Sequence, residues 1–393
     1  MKVLLFANTD WYLWNFRREL AQALRRNNWE VVLVSPPGAY GERFLALGAR
    51  WICLQMQRNG INPLTELAAV AALSAIYRRE KPDLVHHFTL KAVIHGSLAA
   101  WLAGIDARVN AIAGLGYIFC SQDYRARLLR PVVRLLLKAA LAGRSSLTVF
   151  QNPEDARALT AEGVAAAARS RIIRGSGVDT ARFHAAGRVQ DGRCRVLLAT
   201  RLLWSKGVGD YVAAARALAG AGLAADFLVA GASDEGSPDS IPDKVIEGWR
   251  ADGDVGFLGH VDDIDRLLKT IDIVVLPSRY AEGVPRILLE AAASSIAIVA
   301  SDRPGCREIV EDNVTGLLIP PGDIAALTEA LRKLIVDPVR RAELGAAARR
   351  KAQLEFEESR IIEDTIGVYR EALGMTGSPD GSAGRETLPN PLP

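Results

Sequence analysis

Short runs of apolar, often β-branched residues alternate with longer segments of helical periodicity along nearly the whole chain. Because these runs are apolar throughout, they predict strands buried on both faces, as in parallel sheets covered by helices. The regular alternation predicts an α/β protein built from βαβ units. The strand predictions are residues 3–7, 31–35, 51–54, 84–87, 108–112, 147–151 and 171–174, then 195–200, 226–230, 255–258, 273–277, 296–301 and 317–319. The helix predictions include residues 16–26, 64–79, 207–219, 285–294 and 324–335.

A polar stretch with several glycines over residues 175–192 separates the two series of predicted strands. Such a stretch is typical of a linker, so we expect one doubly wound domain over residues 1–180 and a second over 181–355. A helical segment follows at residues 356–373. The final residues, 374–393, are rich in Gly, Ser and Pro without periodicity, which predicts a disordered tail.

The composition is that of a soluble globular protein. Of the 393 residues, 49% are hydrophobic and 24% are charged, which excludes collagen, coiled coil and disorder for most of the chain. The four cysteines lie far apart in the sequence. Neither a disulfide framework nor a structural zinc site is therefore expected, and a reducing cytoplasm is the natural compartment. No uncharged stretch reaches the roughly 20 residues that a membrane-spanning helix needs.

The net charge of +3 conceals an uneven distribution along the chain. Residues 1–180 contain 23 Lys and Arg against 13 Asp and Glu, a net charge of +10, and the remainder carries −7. An excess of positive charge in one half predicts an anionic partner for that half.

The segment 125–138 combines basic and apolar residues at helical spacing. One stripe carries Arg127, Arg130, Arg134 and Lys138, and leucines and valines occupy much of the other side. We expect this helix to lie on an anionic lipid surface. The alternative is an ordinary packed helix with a solvated basic face.

Candidate chemistry is concentrated in residues 277–290, where a strand, a loop and a helix follow one another. Glu282 and Gly283 lie in the loop, and Pro285 suits the first helical turn. Backbone amides near Gly283, Val284, Pro285 and Arg286 would face the crevice at the carboxyl end of the sheet. Glu282 and Glu290 could hold different hydroxyls of one polar ligand. Each glutamate taken singly could instead be a helix-end or surface residue.

Two cations follow the first strand of the second half. Arg201 and Lys206 flank a loop at the same carboxyl edge of the sheet, where they could clamp a diphosphate. The loop lacks the GxxxxGK[ST] pattern of a P-loop, which argues against an NTPase.

These motifs together resemble the family 4 retaining glycosyltransferases. The residues that carry the resemblance are Arg201…Lys206-Gly207, Phe257-Leu-Gly-His260-Val261, Pro277-Ser278…Glu282-Gly283-Val284-Pro285…Leu289-Glu290, Gly305…Glu308 and Gly316…Pro320-Pro321-Gly322-Asp323. The resemblance implies the GT-B fold, in which two Rossmann-like domains face a cleft and a C-terminal helix packs back on the first. It further implies that Arg201 and Lys206 hold the donor diphosphate, Glu282 the sugar and Glu290 the ribose, with His260 and Val261 beside the base.

The first half resembles the subgroup that acts on polyprenyl-diphosphate-linked sugars, which includes bacterial N-acetylgalactosaminyltransferases. The resemblance lies in three stretches that follow predicted strands, residues 8–16, 86–91 and 110–119. The chain departs from the family where Asn8-Thr9-Asp10 replaces a Gly-Gly loop and Gly114-Leu115-Gly116 replaces a histidine. On physical grounds a carboxylate, an imidazole of near-neutral pKa and an ammonium at strand ends could orient an acceptor. The candidate acceptor-binding residues are Asn8, Asp10, Trp11, His87, Lys91, Gly114 and Gly116.

The resulting expectation is a hexosyltransferase at the cytoplasmic face of the cell membrane. It would move a hexose or N-acetylhexosamine, with retention, from a UDP-sugar to a polyprenyl-diphosphate-linked sugar in surface-glycan or glycoprotein assembly. We expect no cofactor, no catalytic metal and no nucleic-acid partner. Two Asp-x-Asp triplets, at 252–254 and 263–265, fit helix ends better than a metal site.

Three other functions are alternatives. A nucleotide-sugar 2-epimerase uses a similar two-domain architecture. A dinucleotide-dependent oxidoreductase would need a GxGxxG motif after the first strand. A non-catalytic module that binds sugar nucleotides would not need both Arg201 and Lys206.

Overall fold

The computed structural model describes residues 1–58, 60, 62–116, 119, 124–185, 192–234 and 236–375. The chain divides into two compact units. Unit 1 comprises Met1–Ser176 and the chain from Ile361 onward, and unit 2 is Gly177–Arg360. The boundaries therefore lie four residues before and five residues after those expected at 180 and 355. Most of the expected disordered tail, from residue 376, lies outside the described residues.

The described strands are β1 (Lys2–Ala7), β2 (Glu30–Ser35), β3 (Arg50–Cys53), β4 (Leu84–Phe88), β5 (Arg108–Ile112), β6 (Ser146–Phe150), β7 (Ser170–Ile172), β8 (Cys194–Ala199), β9 (Ala225–Ala230), β10 (Gly256–Gly259), β11 (Ile273–Leu276), β12 (Ala297–Ser301) and β13 (Leu317–Ile319). Every predicted strand is present, and each end lies within two residues of its prediction.

The described helices are α1 (Asp10–Arg26), α2 (Arg43–Ala46), α3 (Pro63–Glu80), α4 (Leu90–Ala103), α5 (Tyr124–Leu141), α6 (Pro153–Ala161), α7 (Val208–Gly220), α8 (Asp243–Asp252), α9 (Ile264–Leu268), α10 (Arg286–Ala293), α11 (Pro304–Ile309), α12 (Ile324–Val336), α13 (Pro338–Glu355) and α14 (Glu358–Ala372). Single turns of 3-10 helix occur at Ala167–Arg169 and Trp204–Lys206. Among the described residues, no helix is long and apolar enough to cross a membrane.

Unit 1 contains a parallel sheet whose seven described strands run in the order β3-β2-β1-β4-β5-β6-β7. The central strands are buried on both faces because helices cover the sheet on each side, although β4 and β5 also carry buried polar residues, His86, His87, Arg108 and Asn110. The connections leave in opposite directions on either side of the β1–β4 pair. That pair is therefore the topological switch point of the sheet, the place where α/β folds bind ligands.

Helix α14 completes the core of unit 1. The ring of Tyr369 is buried against Trp29, and its hydroxyl lies 2.6 Å from His86 Nδ1. Glu371 near the end of the same helix pairs with Arg171 of β7. The C-terminal segment is thus an integral part of the first unit.

Unit 2 contains a second parallel sheet, whose six described strands run in the order β10-β9-β8-β11-β12-β13. Its switch point is the β8–β11 pair. The two sheets confirm the predicted fold class, an α/β protein with two doubly wound, Rossmann-like halves.

Helix α1 differs from its prediction, because it begins at Asp10 instead of residue 16. The Thr9 hydroxyl caps it by accepting a hydrogen bond from the Tyr12 amide at 3.1 Å. Trp11, Tyr12 and Trp14 are therefore helical. Tyr12 and Trp14 pack against the unit 1 core, and Trp11 is exposed.

The buried histidine His87 predicts a loss of stability in acid. Burial is the main cause that lowers its pKa to about 3, the charge of Arg108 acts in the same direction, and the hydrogen bond that Nδ1 donates to Asn110 Oδ1 opposes the shift. The unfolded chain therefore binds a proton below about pH 6.5 that the folded chain rejects. Between pH 8 and pH 5 this difference should remove about 2 kcal/mol of stability. Urea unfolding at both pH values should show a smaller loss for His87→Gln than for wild type, with the exposed His184→Gln as the matched control. Equal losses for His87→Gln and wild type would contradict the assignment.

Candidate active site

The loops after β8 and β11 meet at the switch point of unit 2. The loop after β11 carries Glu282, and the loop after β8 carries Lys206 in a single 3-10 turn that ends at Gly207. Gly207 has a φ of +73°, and a Cβ there would lie 2.1 Å from the carbonyl oxygen of Pro277. Only glycine therefore permits the two loops to approach this closely.

An ion pair joins the two loops. The ammonium nitrogen of Lys206 lies 2.5 Å from Glu282 Oε2, and both side chains are largely shielded, with 18% and 16% exposed. The hydroxyl of Ser278 donates to the other carboxylate oxygen. Because both Glu282 oxygens are engaged, Lys206 and Glu282 are fixed relative to one another at the carboxyl edge of the sheet.

Arg201 also pairs with a carboxylate. Its guanidinium forms an ion pair with Asp234, a buried carboxylate in the loop after β9. Half of the Arg201 side chain is exposed to solvent. An incoming anion can thus reach Arg201, where it competes with Asp234 for the guanidinium.

The loop after β9 also fixes the backbone that carries Arg201 and Lys206. Thr200 and Leu202 donate amide hydrogen bonds to Ala230 and Ala232. Asp239 accepts hydrogen bonds from the amide and hydroxyl of Ser205. Sequence reasoning missed Asp234 and Asp239, because their loop has no periodicity and its partners are about 33 residues away.

The N-terminus of α10 points at the same edge. No side chain caps this helix, and the positive end of its dipole faces that edge, where an anion would be favoured. The segment before it is held by Gly305 of α11, where a Cβ would lie only 1.5 Å from the carbonyl oxygen of Gly283. Gly283, Val284 and Pro285 are therefore placed by close backbone packing.

Glu290 is buried and does not form part of a solvated helix face. Burial raises its pKa, and the positive charges of Arg286 and Arg182 oppose that rise. Arg286 Nε lies 2.7 Å from Glu290 Oε1, one helical turn away. The predicted ribose contact of Glu290 stays a prediction.

His260 and Val261 follow β10, at the far edge of the sheet from β11. His260 is exposed, and its Nε2 lies 3.3 Å from Asp262, while Val261 packs against the core. In the described residues no hydrogen bond joins this pair to Lys206 or Glu282. Their predicted position beside a base stays a prediction.

The Asp-x-Asp triplets form surface ion pairs. Asp252 and Asp254 both bind Arg216, and Asp265 binds Arg182 at 2.7 Å. Asp263 is the N-cap residue of α9, without a side-chain capping hydrogen bond, and Asp265 lies in the first turn, as expected for acids at a helix start. Within the described part of the chain, no three His, Cys, Asp or Glu side chains cluster as metal ligands would.

Asp10 in unit 1 is buried, and its carboxylate is hydrogen-bonded within the protein. Its carboxylate accepts hydrogen bonds from the amides of Tyr40 at 2.6 Å and Gly41 at 3.1 Å. It also lies so close to Gly38 that a Cβ there would be 2.3 Å from Oδ1. The Asp10 carboxylate therefore holds the loop after β2, and its expected contact with an acceptor stays a prediction.

His87 and Lys91 are likewise engaged within the protein. His87 is fully buried between the Tyr77 hydroxyl at 3.1 Å and Asn110 at 2.8 Å. Its expected near-neutral pKa is wrong, because burial lowers the value to about 3. Lys91 donates to Glu66 and to two carbonyl groups of the segment before α3, each within 2.9 Å. His87 thus joins α3 to β5, Lys91 holds the segment before α3, and their contacts with an acceptor stay a prediction.

The remaining candidates of unit 1 lie after strands at the carboxyl edge. Asn8 follows β1, and Trp11 is exposed on the first turn of α1. Gly114 and Gly116 follow β5 with φ values of +91° and +65°, a backbone that favours glycine. Their contacts with an acceptor stay a prediction.

Known proteins resemble this chain over nearly its whole length. The N,N'-diacetylbacillosaminyl-diphospho-undecaprenol α-1,3-N-acetylgalactosaminyltransferase of Campylobacter jejuni is 27% identical over 385 residues, covering 95% of this chain and 99% of that protein. Sucrose-phosphate synthase from Thermosynechococcus elongatus has a TM-score of 0.79 at 21% identity, covering 96% of this chain and 100% of that one. Anabaena HepE in complex with UDP has a TM-score of 0.74 at 20% identity, covering 94% and 100%. The two structural likenesses establish the fold.

Two family models match separate parts of the sequence. The model described as glycosyl transferases group 1 matches residues 179–351, which include the paired loops of unit 2. The model described as glycosyl transferase 4-like matches residues 2–149 of unit 1. With the fold and the full-length relative, these matches show that the chain belongs to the family 4 glycosyltransferases of GT-B fold.

Proposed function

We propose that this glycosyltransferase moves a hexose or N-acetylhexosamine, with retention, from a UDP-sugar to a sugar carried on a polyprenyl diphosphate. The main support for donor binding is the switch point of unit 2. There Arg201, Lys206 and the N-terminus of α10 lie at the same carboxyl edge of the sheet. Two cations and a helix N-terminus are suited to a diphosphate. The HepE neighbour was solved with UDP, which motivates UDP as the nucleotide to test.

The chemistry follows from the charge that develops on the leaving group. The bond between the anomeric carbon and the diphosphate breaks, the acceptor oxygen bonds to that carbon, and the acceptor proton passes to the released diphosphate. Arg201, Lys206 and the amides near Gly283 stabilise the departing charge without reorganisation. Glu282, fixed beside Lys206, is placed to accept hydrogen bonds from sugar hydroxyls. This scheme needs no protein nucleophile and no cofactor.

The proposed acceptor rests on the full-length relative and on charge. The Campylobacter jejuni protein is named for a diphospho-undecaprenol acceptor and is matched along 99% of its length. The net charge of +10 on residues 1–180 suits a diphosphate-bearing lipid. Neither family model nor this relative is an isomerase. A 2-epimerase would convert a UDP-sugar without acceptor, whereas we expect no conversion.

Helix α5 supports attachment to the cytoplasmic face of the membrane. Leu128, Val132 and Leu135 lie one or two turns apart and are exposed, Leu128 by 75% and Leu135 by 69%. The sequence pattern predicts that this helix lies on anionic lipid, and its exposed face is largely apolar. Arg127 and Lys138 flank it. An apolar face with basic flanks is suited to insertion between anionic headgroups.

The two-cation arrangement predicts the effect of removing Lys206. Lys206→Ala should lower kcat by about two to three orders of magnitude, because one donor to the developing charge is lost. Lys333→Ala, on an exposed face of α12, is the matched control and should retain wild-type turnover. Steady-state kinetics with a UDP-sugar and a prenyl-diphosphate-linked sugar measure both. Near wild-type turnover of Lys206→Ala would refute the proposed binding of the donor diphosphate by Arg201 and Lys206.

Metal-independent turnover is a second consequence, because protein cations take the place of a divalent ion. Activity in excess chelator should equal activity in added Mg²⁺ or Mn²⁺. Loss of turnover in chelator that either ion restores would require a metal in the mechanism.

The membrane proposal predicts weaker vesicle binding when the apolar face of α5 is made polar. Leu128→Ser/Leu135→Ser should reduce partitioning onto mixed phosphatidylglycerol–phosphatidylcholine vesicles by at least about tenfold. The reason is that two leucines that would be buried in the lipid are lost. Leu354→Ser, equally exposed on α13 of unit 2, is the control. Sedimentation with vesicles measures the bound fraction. Unchanged partitioning of the double variant would exclude α5 as the contact.

A further inference from the structure

Arg17 on α1 is a buried cation that lacks an acidic partner. Only 6% of the residue is exposed. Its Nη2 lies 3.2 Å from the Tyr12 hydroxyl, and its guanidinium carbon lies 4.5 Å from the ring centre of Phe88. In the described part of the chain, no carboxylate forms a salt bridge with it, and its Nε has no hydrogen-bond partner. A buried charge without a counter-ion is unfavourable, and the aromatic contacts offset only part of that cost.

The guanidinium of Arg17 lies at the carboxyl edge of the unit 1 sheet. Side chains on a helix lean toward its N-terminus, and Arg17 reaches back to Tyr12 in the first turns of α1. Phe88, over which it lies, is the last residue of β4, which pairs with β1. Arg17 therefore stands at the β1–β4 switch point, where a doubly wound sheet binds ligands.

A second polar group without a partner follows Phe88 directly. Thr89 has a φ of +76°, and its hydroxyl is buried with no hydrogen-bond partner among the described residues. Thr89 precedes α4 but makes no capping hydrogen bond, so the first amides of this 14-residue helix stay uncapped. Guanidinium, hydroxyl and helix amides are all donors, and each is suited to an oxyanion.

The charged and titratable groups near this place are engaged within the protein or neutral. The Asp10 carboxylate at the start of α1 accepts two amide hydrogen bonds, and Lys91 in the first turn of α4 pairs with Glu66. His86, also buried, lies against Phe88 and has an Nε2 without a partner among the described residues. Burial, and then the charge of Arg17, lower the pKa of His86 well below its ordinary value, so the imidazole is neutral.

We propose that Arg17, the Thr89 hydroxyl and the N-terminus of α4 form a binding site for the diphosphate of the lipid-linked acceptor. This inference rests on the proposed function, because a prenyl diphosphate is an anion that unit 1 would receive. A diphosphate supplies the counter-charge that Arg17 lacks and accepts several hydrogen bonds at once. The site is distinct from the donor diphosphate site of unit 2.

The test uses the full-length protein and a substitution that separates binding from folding. Arg17→Met keeps the apolar stem and removes the charge, so its melting temperature should equal or exceed that of wild type. Arg18→Met is the matched control, since Arg18 pairs with Glu19 at the surface of the same helix. Calorimetry with farnesyl diphosphate, inorganic pyrophosphate and UDP measures three affinities for each variant.

We expect Arg17→Met to lower the affinities for farnesyl diphosphate and pyrophosphate at least tenfold and to leave the affinity for UDP unchanged. Thr89→Ala should lower the affinities for the same two ligands, and Thr89→Ser should retain the wild-type affinities. An equal loss of UDP affinity would assign Arg17 to the donor and overturn the proposal. So would unchanged affinity for farnesyl diphosphate, or a lowered melting temperature with no change in any affinity.

Kinetics keep this proposal separate from the proposed function. If wild type glycosylates a prenyl-diphosphate-linked sugar, Arg17→Met should raise the KM for that acceptor at least tenfold and leave the donor KM unchanged. An unchanged acceptor KM would overturn the diphosphate site while the proposed function stands. Wild type that never turns over such an acceptor would overturn the proposed function itself.

Discussion

The ion pair between Lys206 and Glu282 is the contact on which the donor side of unit 2 depends. It joins the loops after β8 and β11, the two strands at the switch point. Its formation requires the close approach that Gly207 permits against Pro277. In our account the pair keeps an ammonium ready for a leaving diphosphate and a carboxylate ready for sugar hydroxyls. Asp234 gives Arg201 a comparable support from the next loop.

The two units place cations at equivalent points of their sheets but treat them differently. In unit 2 both candidate cations are neutralised by carboxylates, so a diphosphate must compete with Asp234 and Glu282. In unit 1 no carboxylate among the described residues forms a salt bridge with Arg17, which contacts the Tyr12 hydroxyl and the Phe88 ring. Competition with a carboxylate favours release of a product. A cation without a counter-ion favours retention of an anion, which is suited to an acceptor that remains attached to its lipid.

The sequence predicts the strands of this fold well, because most are short, largely apolar runs between polar turns. It also brings together Arg201, Lys206 and Glu282, since residues after parallel strands share one edge of a sheet. Burial is harder to anticipate. Asp10 and His87 have the chemistry of a binding site, yet both are engaged within the protein. Loop amides donate to the Asp10 carboxylate, and the His87 ring is hydrogen-bonded to Tyr77 and Asn110. Asp234 escapes prediction because its pairing with Arg201 arises only when two loops fold together.

The most direct test of the account compares how wild type binds UDP, UMP and uridine in calorimetry. If Arg201, Lys206 and the N-terminus of α10 hold a diphosphate, UDP should bind at least about a hundredfold more tightly than uridine, with UMP between them. The difference should shrink as salt is added, because the contacts are ionic. Equal affinities for UDP and uridine would contradict the central claim, since the cations at the switch point would then contribute nothing to donor binding.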